Sequence, residues 1–209
     1  MPPIKKKTPS KPKSTPTPTP TPTPTSTTPK PEPKPKPAPV KERTLQQIGE
    51  KLNLDKATFH KYCEDYQKLL DPIKSKIKKI VEIGDISAKD MWEDWIPGVK
   101  VTVLTQQQAL ESPILLQGVD LVVDDGDHFW RDQITTFNNS WKSTALAYII
   151  EDLQTSINKA YKLGPTPTYT NGENPDESFP ALDFHSIDHT KHVIKNGEDD
   201  SWAVVFIKN

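Results

Sequence analysis

The sequence predicts an α/β domain, a sheet with helices on both faces, preceded by a tail that does not build a core. Three observations carry this. Apolar runs of strand length recur at residues 79–84, 99–104, 119–125, 147–151 and 202–208. Stretches with helical spacing separate most of them, the pattern of a parallel sheet covered on both sides. Fifteen of the 22 prolines lie in residues 1–40, so the composition changes abruptly there.

The tail, residues 1–42, is built on Thr-Pro and then Lys-Pro repeats. Proline has no amide donor and a fixed φ, so neither a ladder nor a helix interior forms. With few large apolar side chains, nothing offsets the ordering entropy, and extended or disordered chain is expected. Nine lysines against Glu32 and Glu42 give the tail a net charge of +7, whereas the remaining 167 residues hold 18 basic and 26 acidic residues, a net of −8. The tail is therefore read as a spacer or as an arm that docks a partner or a polyanion. The acidic body is a poor general nucleic-acid binder. No apolar run approaches the roughly 18–20 residues of a membrane helix, and the N-terminal lysines precede no apolar signal region. A cytoplasmic location is expected. The single cysteine, Cys63, excludes an internal disulfide framework and a Cys-based zinc site.

The body, residues 43–209, opens helically. Thr44 has Gln47 three residues on, a capping-box spacing, ahead of Leu45, Ile48 and Leu52. Phe59, Cys63, Tyr66 and Leu70 predict a second helix over 56–70, ended by Asp71-Pro72. A buried strand at 79–84 ends in Gly84. A helix follows with Met91, Trp92 and Trp95 as core, closed by Pro97-Gly98. After the strand at 99–104, a short helix over 106–116 is broken by Pro113. The strand at 119–125 reads most cleanly. Helices are expected at 132–142 and 153–161, a loop at 164–180, and a last strand at 202–208.

In such sheets ligands sit beyond the carboxyl ends of the strands, and three successive strand ends here are acidic: Asp85 after Gly84, then Asp124 and Asp125, then Glu151 and Asp152. Buried carboxylates need a partner, and a cation is the natural one. In Asp124-Asp125-Gly126-Asp127-His128, Gly126 is expected to take a positive φ and so present Asp125 and His128 to one cavity. Asp125, Glu151 and Asp152 can converge on a hard divalent cation such as Mg²⁺ or Ca²⁺. His128 beside it would serve as a general base. The alternative on the same residues is that the acids cap helices and His128 lies on the surface.

Three segments resemble one group of class I S-adenosylmethionine-dependent methyltransferases. These are the metal-dependent sugar O-methyltransferases that act on macrolides (the mycinamicin and macrocin enzymes), related to cephalosporin hydroxylase-like proteins. Asp55-Lys56, His60, Tyr62 and Tyr66 are similar to that family's Asp-Lys and His-x-Tyr-x-x-x-Tyr pattern. Glu82-Ile83-Gly84 with Met91-Trp92 and Trp95-Ile96-Pro97 resembles its Glu-Ile-Gly strand and Met-Trp helix. Asp124 to His128, Gln133, Phe137 and Ile150-Glu151-Asp152-Leu153 resemble its Asp-Asp-Gly-Ser-His and Ile-Glu-Asp-Leu segments. The resemblance implies a Rossmann-like methyltransferase sheet. It implies Mg²⁺ held by Asp125, Glu151 and Asp152, and His128 as the base that deprotonates a sugar-like hydroxyl. S-adenosylmethionine would lie at Glu82, Gly84 and Asp124, with Asp55, Lys56 and Tyr62 folded over it. Assembly into homo-oligomers is also implied.

The sequence departs from the family in the cofactor half. Gly84-Asp85-Ile86-Ser87-Ala88 lacks a further glycine, and Thr105-Gln106-Gln107 follows the second strand where the family has a ribose-binding acid. Gln106 or Gln108 can stand in for that acid. The connection to Asp124 is short by about one β–α unit, and Ser143-Thr144-Ala145 replaces a Gly-Gly. Two functions are therefore expected in turn: a Mg²⁺-assisted O-methyltransferase, or a methyltransferase fold that has lost the cofactor and serves as a binding or regulatory module. His185, His189 and His192 read as a solvated polar edge, and Cys63 as a small core residue.

Overall fold

The computed structural model describes residues 42–153, 182–196 and 202–209. Residues 1–41 of the proline-rich tail, all but the first residue of the helix expected at 153–161, and the loop expected at 164–180 lie outside the described residues.

Helix α1 (Leu45–Lys51) begins with the expected capping box: the Thr44 hydroxyl accepts from Gln47 N, and Gln47 accepts from Thr44 N at 3.1 Å. The single helix expected over 56–70 is two pieces, α2 (Asp55–Thr58) and α3 (Cys63–Leu70). Lys61 between them is left-handed, with φ 56, and Tyr62 N turns back to the carbonyl of Lys56 at 2.7 Å. Cys63, Tyr66 and Leu70 keep their buried helical face, whereas Phe59 is exposed. The break turns Tyr62 inward, where its hydroxyl reaches the sheet's carboxyl end.

Six strands follow: β1 (Lys79–Ile83), β2 (Lys100–Leu104), β3 (Leu121–Asp124), β4 (Ala147–Ile150), β5 (His189–Lys195) and β6 (Trp202–Lys208). Their order is β2-β1-β3-β4-β6-β5. The first four run parallel, and β6 and β5 add antiparallel. Between β2 and β3 the chain makes only α5 (Gln106–Glu111) and a 3-10 turn at Pro113–Leu116, so the sheet is short by the unit the sequence lacks. α4 (Ala88–Trp95) joins β1 to β2, and α6 (Trp130–Ser140) joins β3 to β4.

Alternation along the strands divides the core in two. Ile80, Val101, Leu121, Val123, Ile149 and Val205 face a layer that includes Leu45, Cys63, Leu70, Met91 and Trp92. Val81, Ile83, Val122, Tyr148, Val204 and Phe206 face Leu116, Phe137 and Trp141. The histidine-rich segment read as a solvated edge contributes a strand: His189 begins β5 and stacks on Phe184 at 4.2 Å. Among the described residues no helix is long and apolar enough to cross a membrane.

Candidate active site

The backbone ladder brings the three central strand ends to one level. Gly84 N donates to Leu104 O, Asp125 N to Ile83 O and Glu151 N to Asp124 O, at 2.8–2.9 Å. Adjacent strands are about 4.8 Å apart, so the side chains leaving these ends share one space. Gly84 has φ +104, and a Cβ there would run into the backbone carbonyl of Asp125. The glycine is needed because the ends of β1 and β3 touch through their backbones.

At the centre is an ammonium group. Lys56 from α2 is fully buried, and its Nζ lies 2.7 Å from Glu82, 3.0 Å from Asp125 and 3.1 Å from Glu151. Glu82 also accepts from Trp92 Nε1 at 2.8 Å, so this tryptophan is more than core filling. Burial raises Glu82 to about 7 despite Lys56, and burial and neighbouring carboxylates raise Glu151. Burial acts upward on Asp125 too, but Lys56 and His128 hold it below the usual carboxylate value. Burial alone would lower Lys56; the three carboxylates raise it instead.

Nearer the surface is a second group. His128 Nε2 lies 3.2 Å from Asp125 Oδ1 and 3.6 Å from Asp152 Oδ2. Asp152 also accepts from the Tyr62 hydroxyl at 2.7 Å and lies 3.6 Å from His60. Burial pushes the imidazole of His128 toward neutrality, but its hydrogen bond to Asp125 and the charge of Asp152 raise its pKa above the ordinary value. Burial raises Asp152, against Tyr62, His60 and His128. His128 and Asp152 are both left-handed, with φ 59 and 50, a conformation that costs non-glycine residues about 1–2 kcal/mol and that clusters at functional sites. Gly126, expected to take the positive φ, is not among the left-handed residues.

Gly126 instead lies against the end of the flexible Gln106 side chain, which a Cβ there would displace. Both amide atoms of Gln106 are buried and have no hydrogen-bond partner. Gln108 is occupied otherwise, in the capping box of Thr105. Of the two candidates for the missing acid, Gln106 is thus the one with an unspent amide. The loop after Gly84 closes on itself, with Asp85 accepting from Ser87 N at 2.8 Å.

The remaining expected site residues sit elsewhere. Asp124 is fully buried beneath α6, bonded to the hydroxyls of Thr136 and Tyr148. Asp55 is exposed and accepts from the amide of Lys56 at 2.7 Å. Two positions that sequence reasoning left without a role support the site: His60 beside Asp152, and Gln133, whose Nε2 donates to Glu151 O at 2.8 Å. Their signal was membership of the resembling segments.

No family model matches the chain, and no curated protein matches it. Among solved structures it is similar to the MycE methyltransferase from the mycinamycin biosynthetic pathway. With the complex holding Mg and SAH (crystal form 1), identity is 15%, the TM-score 0.58, and the match covers 80% of this chain and 55% of that one. With the complex holding Mg, SAH and mycinamycin VI, identity is 16%, the TM-score 0.59, and the coverage the same. The chain has a class I methyltransferase fold. It spans about half the length of the MycE chains.

The crevice of this methyltransferase fold lies where β2 and β3 leave β1 on opposite sides, the place where such sheets bind ligands. One feature here suits S-adenosylmethionine: the orphaned Gln106 amide can both donate and accept. The expected Mg²⁺ set fits less simply. Asp125 belongs to two groups with ligand atoms within 4.8 Å of one another, one with Glu82 and Glu151 and one with His128 and Asp152. The expected trio Asp125, Glu151 and Asp152 is divided between them, and Lys56 already holds the inner one.

Proposed function

We propose that the chain is an S-adenosylmethionine-dependent methyltransferase acting on a hydroxyl of a small, sugar-like molecule, with His128 as the base. The observation that carries this is the imidazole held between Asp125 and Asp152 at the rim of the crevice, in a strained backbone conformation. Bound S-adenosylmethionine supplies an electrophilic methyl group. The chain's residues do the rest. In the neutral ring Nε2 carries the proton given to Asp125, so Nδ1 is the nitrogen that takes the hydroxyl proton as the oxygen attacks, and the two carboxylates stabilise the imidazolium that forms. Tyr62 and His60 fix Asp152, and Asp125 and Asp152 together hold the ring at Nε2. Asp125 and Asp152 would hold Mg²⁺ at this rim, where the ion would make the same hydroxyl more acidic.

The similarity to MycE supports the reading through the fold. The acceptor class is inferred from the base and from the resemblance of the three segments. Only the neutral imidazole accepts a proton, and its pKa is raised, so transfer should fall as pH drops through a midpoint above the ordinary 6.5. The deciding experiment compares wild type with His128→Ala. Transfer to a panel of sugar hydroxyls should be lost, while calorimetric affinity for SAH stays within about threefold, because a base acts on the acceptor and not on the bound cofactor. A fully active variant refutes the assigned role. A second reading, a fold that has given up the cofactor, is favoured by Gln106 lying against Gly126 and by the self-closed loop at Asp85. Failure of the wild-type chain to bind SAH at all would establish it.

A further inference from the structure

We propose that the ammonium of Lys56 is the resident cation of Glu82, Asp125 and Glu151, and that this inner cluster takes no divalent ion. The proposal stands whether or not the chain transfers a methyl group.

The first argument is valence. An ammonium has three N–H donors and no acceptor. Lys56 meets one oxygen from each of three strand ends, at 2.7, 3.0 and 3.1 Å. Every donor has a partner: one in β1 and two on the residues that directly follow β3 and β4.

The second argument is size. Mg²⁺ holds oxygens at about 2.0–2.1 Å and Ca²⁺ at about 2.3–2.6 Å. Three oxygens standing 2.7–3.1 Å from the centre of positive charge match an ammonium and are too far out for either ion. The third is hydration. Mg²⁺ usually keeps several waters, whereas the side chains of Lys56 and Glu82 are completely buried and that of Glu151 is 1% exposed. A divalent ion would have to expel the lysine and open the cluster at once.

The lysine is also held firmly in place. α2 follows left-handed Asn53, and left-handed Lys61 ends the turn after it. The same segment sends Tyr62 to Asp152. The seat is therefore filled by a side chain whose backbone is anchored at both ends. Glu151, a metal ligand by resemblance, becomes a lysine partner here, and divalent ions are left the more open oxygens of Asp125 and Asp152.

Two measurements on the full chain test this. The first uses unaltered protein labelled with ¹⁵N-lysine. A buried Nζ with three bonded protons gives a slowly exchanging signal, assigned by its loss in Lys56→Arg. It should persist at millimolar MgCl2, shifted only as far as an ion on Asp125 at the rim shifts it; its disappearance overturns the proposal. The second uses Lys56→Gln and MnCl2, followed by the paramagnetic resonance of free Mn²⁺. Vacating the seat removes a like charge, and binding should tighten by about tenfold or more. Unchanged Mn²⁺ affinity in a folded variant overturns the proposal. Should Lys56→Gln fail to fold, the lysine signal of the unaltered chain decides alone.

Discussion

Asp124→Asn separates the structural carboxylate at the end of β3 from the functional ones beside it. Asp124 is fully buried on the α6 side of the sheet. One oxygen accepts from Thr136 and Tyr148, and the other, Oδ1, has no partner. Burial raises its pKa from 3.8 to about 6, against the two hydroxyl bonds. In the unfolded chain the group ionises at its ordinary value. Between pH 3.8 and about 6 the folded state therefore holds a proton that the unfolded state has lost, so stability falls as pH rises through this window. At about 1.4 kcal/mol per pH unit, the loss is about 3 kcal/mol. Asparagine keeps the shape and an acceptor for the hydroxyls but does not titrate. Its unpaired amide adds a constant cost, which cancels when two pH values are compared. Urea unfolding of both proteins near pH 4 and near pH 7.5 should show the variant gaining roughly 2–3 kcal/mol on wild type between them. An equal difference at both pH values would refute the reasoning, because it would mean that Asp124 titrates alike in both states.

Two further substitutions test the crevice. Gln106→Ala should weaken calorimetric SAH binding by about ten- to a hundredfold, the worth of roughly 1–3 kcal/mol for amide bonds that only a ligand can complete; tighter binding would mean that the side chain plugs the crevice. Gly84→Ala should destabilise the chain by more than about 2 kcal/mol in thermal or urea unfolding, since its φ of +104 and the Asp125 carbonyl both exclude a Cβ; a neutral result would show that the ends of β1 and β3 can part.

The sheet was legible because its signals are local. The runs that became β1 to β4 and β6 alternate between two apolar layers, and the Thr44 box is a four-residue pattern. Strand β5 was not legible, because His-Thr-Lys-His-Val-Ile-Lys has little apolar alternation and lies at the sheet edge, where charged side chains are tolerated. The helix break at Lys61 hid behind sound helical spacing, since what stabilises it is the Tyr62–Asp152 contact 90 residues away. The strand-end rule found Asp125, Glu151 and Asp152 as a site, and the resemblance added Glu82. It could not find their cation, since Lys56 is 26, 69 and 95 residues from its three partners. The left-handed turn was placed on Gly126 by the general preference of glycine. The chain puts it on His128, and Gly126 lies against the Gln106 side chain.

Asp125 joins the two charge groups, and this decides which variants are informative. Its Oδ2 faces Lys56 and its Oδ1 faces His128. The buried ammonium therefore fixes the carboxylate that in turn orients the base, and the charge of Lys56 keeps Asp125 ionised for that purpose. Asp125→Asn would disturb both groups: it leaves Lys56 with one charged neighbour fewer in the interior and releases His128 at the rim. A loss of activity there would not say which group mattered. Asp152→Asn leaves the Lys56 contacts intact and can still accept from Tyr62, but removes a negative charge from beside His128. It should move the pH profile of transfer to lower pH with little change in folding stability. This outcome tests the rim alone, because no oxygen of Asp152 touches the lysine.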